Sequence, residues 1–202
     1  MMNQSTHYTS DELNSFGFLH IGDNVKISRK VSIYGAHLMS FGNNVRIDDF
    51  CVLSGKITIG NYVHIAVFSC IFGGSEGVVF KDFSGLSSRC AVYATTDDYS
   101  GEYMTNPTVP PEFTNIITGK VVIGRHVDIG TGSTVLPGVE IGEGCAFGAM
   151  TLITKSTKPW GFYMGYQCMR IKERSQRVLE LEQQLMHHFR ESKPTQSQNE
   201  GK

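Results

Sequence analysis

From Ile123 to Lys155 a large apolar residue recurs every six positions: Ile123, Ile129, Val135, Ile141, Phe147 and Ile153. Glycine follows at Gly124, Gly130, Gly142 and Gly148. An amphipathic helix repeats its apolar face every 3.6 residues and a half-buried strand every 2, so six fits neither. It fits a chain of short strands separated by turns, with three such units closing one triangular coil.

The same period runs through most of the chain. Ile21, Ile27, Ile33; Phe41, Ile47, Leu53; Ile59, Ile65, Ile71; and Phe80, Leu86, Val92 precede the two sets above. A second apolar or small residue often stands two positions earlier, as at Val25, Val45, Val63, Val127 and Cys145. Each unit therefore reads as a strand with two inward positions and one outward position between them, stacked at the ~4.8 Å spacing of neighbouring strands. The spacing slips only after Ile33, Ile71 and Val92, each time after the third strand of a coil, so the insertions project from one corner. The largest, 95–120, carries three prolines, aromatic residues and no period. Its length and aromatic content predict an ordered, functional arm.

The expected organisation is an N-terminal cap over 1–18, a β-helix over 19–160 that includes the arm at 95–120, a connection and helix over 161–190, and a flexible tail over 191–202. Val178, Leu181, Leu185 and Phe189 give the helix its apolar spacing and predict that it caps the open end of the solenoid.

Composition narrows the function. With 202 residues and 40% apolar content the chain can bury one core, and a formal net charge of −1 supplies no basic field for nucleic acid or anionic lipid. No apolar run reaches the ~18 residues of a membrane span, and the first residues lack the basic and apolar regions of a signal peptide. Five scattered cysteines without a CxxC pair suit a reduced, cytoplasmic setting, where they act as small apolar core residues. The seven histidines are spread out, so no metal site is expected.

The segment "VDIGTGSTVLPGVEIGEGCAFGAMTLITKSTKP" resembles the C-terminal signature of the hexapeptide-repeat acyltransferases. Within them, "YVHIAVFSCIFGG", "DFSGLSSRCAVYATTDDYSGEYMTNPTVP" and "PWGFYMG" are similar to sugar acetyltransferases of polysaccharide biosynthesis. The resemblance implies an all-β, left-handed parallel β-helix of about six coils, a homotrimer with its site between subunits, and acetyl-CoA as co-substrate with no permanently bound cofactor. It implies a nucleotide-linked amino-deoxy sugar of the dTDP-4-amino-4,6-dideoxyglucose type as acceptor, in O-antigen biosynthesis.

Acyl transfer from a thioester needs a neutral nucleophile, stabilisation of the oxyanion and removal of a proton. Galactoside-type members of the family carry Ala-Thr-His where this chain has Ala94, Thr95 and Thr96. The usual base for a hydroxyl is therefore missing, which favours an amine acceptor over sugar O-acetylation. Three other candidates can handle the proton. Asp97 and Asp98 open the arm, and being adjacent on extended backbone they face opposite ways. His64 lies outward between Val63 and Ile65. The period stacks it in the column Lys26, Arg46, His64, Gly85, Asp128, Ala146, where Gly85 leaves a gap. A neighbouring subunit's arm would bring Asp97 or Asp98 over that gap. The bland alternatives are a solvated turn for the aspartates and an exposed ladder position for His64. For His126, beside Arg125, a surface role is expected.

By resemblance Gly130, Thr131, Gly148, Ala149 and Thr151 line the coenzyme groove, and Lys155, Lys158, Arg170, Lys172 and Arg174 lie where the family meets the coenzyme phosphates. Met150 replaces a family glycine and narrows that groove, and the family's Pro-Ala after Gly165 is absent. Trp160 either packs on a bound ring or seals the β-helix. Tyr99, Tyr103 and Asn106 of the arm suit a nucleotide base, although Asn106 also suits a turn. A non-catalytic solenoid scaffold is the remaining alternative, because fold alone does not fix function.

Overall fold

A computed structural model describes residues 6–191, apart from the side chains of Phe189 and Glu191. The repeat closes into a parallel β-helix with three faces. On the first face the register runs Ile21, Phe41, Ile59, Phe80, Ile123, Ile141. On the second it runs Ile27, Ile47, Ile65, Leu86, Ile129, Phe147, Tyr163. On the third it runs Ile33, Leu53, Ile71, Val92, Val135, Ile153. Every six-spaced position of the sequence thus meets its counterpart one coil away, and nearly all are fully buried in one continuous core. Each such side chain contributes roughly 1.5–3 kcal/mol by leaving water.

Turns between faces demand left-handed backbone. Between the first and second faces that position holds Asn24, Asn44, Tyr62, Phe83, His126, Gly144 and Trp160. An ordinary residue costs about 1–2 kcal/mol there, and the column recovers part of it by mutual contact. Asn24 donates to Asn44 at 2.7 Å, Tyr62 stacks on Phe83 at 4.7 Å, and Phe83 stacks on His126 at 5.1 Å. A Cβ on Gly144 would lie 2.2 Å from the Trp160 ring, so that glycine exists to seat the indole, and Trp160 closes the corner.

All three insertions leave the corner between the third and first faces. The strands Val52–Ile59 and Cys70–Phe80 bend around it without breaking, and the arm emerges there after the strand Ala91–Tyr93. The arm is anchored by an antiparallel pair, Thr95–Asp97 with Ile116–Thr118.

At the bottom, helix α1 (Ser10–Ser15) begins with a Thr9–Glu12 capping box and buries Leu13. Phe16 and Phe18 stack beside it, and Phe18 meets Phe41 edge-on. At the top, the structure corrects the expectation for the C-terminal helix. The last coil is covered by a hairpin, Gly161–Met164 with Met169–Glu173, whose first strand continues the second face. Helix α2 (Arg177–Glu191) docks through Glu182 onto Arg125 and His126, while Leu181, Leu185 and Met186 remain exposed. The hairpin takes the end because its backbone can pair with the exposed edge, which a helix cannot. The polar tail from 192 onward lies outside the described residues.

Three cysteines, Cys51, Cys90 and Cys145, are buried and point their thiols at carbonyl oxygens of the next coil, those of Ala66, Gly130 and Lys158, at 3.1–3.2 Å. Burial pushes the Cys51 thiol up to about 11. These thiols pack as core groups. Among the described residues no helix is long and apolar enough to cross a membrane.

Candidate active site on the second face

The outward column of the second face is Lys26, Arg46, His64, Gly85, Asp128, Ala146 and Phe162. Gly85 has no side chain, and a recess of about 570 Å³ opens over it. His64 forms its lower edge and Asp128 its upper edge, two rungs apart or about 10 Å along the stack. Tyr62 and Phe83 wall one side, and Ser87, Ser88 and Thr131 the other. A Cβ at position 85 would come 3.1 Å from the His64 carbonyl oxygen and project into the recess.

Both edges are pinned by charged side chains. His64 Nε2 lies 2.8 Å from Asp48 Oδ2, and Arg46 Nε donates to Asp48 Oδ1 at 2.7 Å. Burial alone would raise the Asp48 carboxyl, but hydrogen bonds from His64 and Arg46 outweigh it and hold it below the ordinary range. Asp128 accepts from Arg174, whose other guanidinium nitrogen donates to the carbonyls of His126, Gly144 and Cys145. Arg174 therefore staples the hairpin to the coil wall, although the sequence suggested it for coenzyme phosphate. Asp48 is not among the candidates that the sequence analysis names. The signal existed, since the register sets Asp48 directly below Ala66 and one rung beneath His64.

On the side wall, Ser88 and Thr131 pair their hydroxyls at 3.0 Å, and Thr131 also donates to the Ser88 carbonyl at 2.7 Å. Gly130 is required by stacking, since a Cβ there would meet Gly148 and Ala149 backbone at 2.7 Å. Thr151 is buried and donates its hydroxyl to the Gly148 carbonyl at 2.8 Å, so it presents no side chain to a groove. Gly148 packs under Met164, Ala149 is exposed, and Met150 lays its sulfur across Gly132. Met150 thus covers the corner beside Thr131.

The basic residues divide. Lys155, Lys158 and Arg170 share a second recess of about 530 Å³ with Tyr163 and Tyr166. Lys172 sits 5.4 Å over the Phe162 ring, at the top of the second face. His126 departs from the expected surface role. It is 2% exposed, bonded to Glu182 at 2.9 Å, and its pKa is lowered by burial and by Arg125 and Arg174. The left-handed turn tucks its ring between Phe83 and the docked helix.

The structure does not bring the arm to the recess within one chain. The arm leaves the corner opposite the second face, and Tyr99 and Tyr103 stand exposed there. Asp98 is tied up locally: it accepts from the Ser100 backbone at 2.7 Å and from Asn115 Nδ2 at 2.8 Å, and these bonds lower its pKa. No such bond engages Asp97 among the described residues. Asn106 adopts φ +100° and accepts from Thr108 twice, which is a turn-building role.

Residues 120–155 match the family described as bacterial transferase hexapeptide (six repeats). The chain is 48% identical over 174 residues to a dTDP-4-amino-4,6-dideoxy-D-glucose acyltransferase of Escherichia coli, spanning 85% of this chain and 90% of that protein. The fold matches crystal structures of AntD, an N-acyltransferase from Bacillus cereus. One, holding dTDP and 3-hydroxybutyryl-CoA, aligns with TM-score 0.90 at 45% identity over 93% of this chain and all of AntD. A variant holding dTDP-4-amino-4,6-dideoxyglucose and coenzyme A aligns with TM-score 0.89 at 46% identity over 93% of this chain. The chain belongs to the hexapeptide-repeat acyltransferases, acyl-CoA-dependent enzymes built on a parallel β-helix.

Proposed function

We propose that the protein transfers an acetyl group from acetyl-CoA to the amino group of a dTDP-linked 4-amino-4,6-dideoxy sugar, in the cytoplasm, for polysaccharide such as O-antigen. The observation that carries it is the recess over Gly85, roomy enough to admit a sugar ring and bounded by a histidine held by a carboxylate. The acceptors named for the Escherichia coli relative and bound by AntD support the amino sugar.

The chemistry follows from those groups. The neutral amine attacks the thioester carbonyl, forming the C–N bond, and collapse of the tetrahedral adduct breaks the C–S bond. The ammonium proton passes to His64 and leaves with the thiolate as coenzyme A. An amine needs no stronger base than imidazole near neutral pH. Asp128 faces the same space, where its carboxylate can accept a hydrogen bond from the acceptor amine.

We further propose that the working unit is a homotrimer. The recess is open along its outer side, and Asp97, whose side chain has no hydrogen bond among the described residues, and exposed Tyr99 and Tyr103 stand on the far corner of the same chain. Three copies around an axis would set one chain's arm against the next chain's second face. The coenzyme would then run past Gly130, Thr131 and Ala149 towards Lys155, Lys158, Arg170 and Lys172.

Thiol release from acetyl-CoA and from 3-hydroxybutyryl-CoA, with dTDP-4-amino-4,6-dideoxyglucose, free amino sugars and dTDP-glucose as acceptors, tests this. Turnover is expected with the dTDP-amino sugar and acetyl-CoA, and none with dTDP-glucose. Equal release with dTDP-glucose would establish O-acylation instead, and silence with every acceptor would leave a scaffold.

A further inference from the structure

We propose that Asp48 is a positioning residue for acyl transfer: it holds the His64 proton on Nε2 and leaves Nδ1 unprotonated towards the acceptor amine. This rests on the proposed function, in which His64 takes the amine proton.

The geometry fixes the tautomer. An ionised carboxylate only accepts hydrogen bonds. Asp48 Oδ2 lies 2.8 Å from Nε2, so neutral His64 must carry its proton there. Arg46 Nε donates to the other oxygen at 2.7 Å, which keeps the carboxylate ionised and stops it from turning. The Asp48 side chain is only 19% exposed, whereas the His64 side chain is 52% exposed. The support is thus sheltered and the ring open to the recess. The charged groups facing the ring are Arg46 and Asp48 one rung below, Lys26 beneath them, and Asp128 two rungs above. Directly above, Gly85 leaves the imidazole accessible to substrate. The arrangement assigns one ring nitrogen to the protein and the other to the reaction, the division of labour that carboxylate–histidine pairs perform elsewhere.

Asparagine at 48 should reverse the assignment. Arg46 would engage the amide oxygen, the NH₂ group would face Nε2, and the ring would place its proton on Nδ1, blocking the base. Long-range ¹H–¹⁵N spectra of the full-length, [¹⁵N]histidine-labelled protein at pH 8 read this directly, with His64→Gln assigning the signals. The expected result is an Nε2–H pattern in the parent and an Nδ1–H pattern in Asp48→Asn. In steady-state assays Asp48→Asn should lower kcat about 100-fold with an unchanged KM for acetyl-CoA. Asp48→Glu should recover part of that loss, and Asp48→Asn should add nothing in a His64→Gln background. An Nδ1–H pattern in the parent overturns the proposal. So does parental kcat in Asp48→Asn beside a slow His64→Gln, which leaves His64 as the base. Parental kcat in His64→Gln refutes the base itself, and Asp48's role with it.

Discussion

His64 and Asp97 are candidate proton acceptors held under opposite constraints. His64 stands in a column whose every neighbour is set by register, with Asp48 and Arg46 beneath it and a bare glycine above. Asp97 stands at the root of an aperiodic arm, paired by backbone to Ile116 and by no side chain among the described residues. The first group is oriented by its own chain. The second can be oriented only by something brought to it, a ligand or another copy. A repeat fold supplies a rigid wall cheaply, because each coil templates the next, and leaves adaptable recognition to whatever interrupts the repeat.

That contrast can be broken experimentally. The largest effect is expected from filling the wall. Gly85→Val should reduce kcat/KM for the amino sugar by roughly 100-fold or more while Tm shifts by only a few degrees, because the added atoms project outward. Near-parental kcat/KM would mean that the acceptor binds elsewhere. Next comes the staple behind Asp128. Arg174→Ala removes charge-assisted bonds to three carbonyls and should cost about 2 kcal/mol, read as a lower denaturant midpoint, with KM for the acceptor raised as Asp128 loosens. An unchanged midpoint would show that the hairpin is held by its backbone pairing alone.

The arm should respond more weakly, and its two aspartates differently. Asp97→Asn is expected to lower kcat about tenfold with coenzyme affinity intact. Asp98→Asn should leave kcat near parental but speed amide hydrogen exchange around Ser100 and Asn115. Identical behaviour of the two variants would dissolve the distinction drawn from their hydrogen bonds. The smallest effect concerns pH. His126 has a folded pKa below its ordinary value of about 6.5. As pH falls through 6.5 the unfolded chain gains the proton first, so stability present above that pH declines. Tm should drop modestly between pH 7.5 and 5.5, and His126→Gln should flatten that slope. An equal slope in the variant would assign the decline to other groups.

Much of this was legible before any coordinates. The six-residue period located the inward positions of every coil and so predicted that His64, Gly85 and Asp128 share a column with a gap. The slips after Ile33, Ile71 and Val92 located the corner from which the arm departs. What was not legible involves side chains that reach off the lattice. Burial of His126 depends on a helix arriving from residue 182, and the Arg174 staple depends on a hairpin folding back across the last coil. No local pattern encodes either contact. Thr131 and Thr151 look alike in sequence, yet one is exposed beside the recess and the other is buried with its hydroxyl on Gly148.

Sequence by itself therefore determined the β-helix, its register and the face that carries the recess, because a period repeated over many coils leaves only one way to bury so many large side chains. Tertiary structure decided which polar groups are already engaged. Asp98, Arg174, Thr151 and His126 have their side chains bound within the chain, whereas among the described residues the Asp97 side chain has no such bond and His64 is held at one nitrogen. Those choices rest on single contacts of a few ångströms between residues far apart in the chain, and such contacts follow from packing after the repeat has closed.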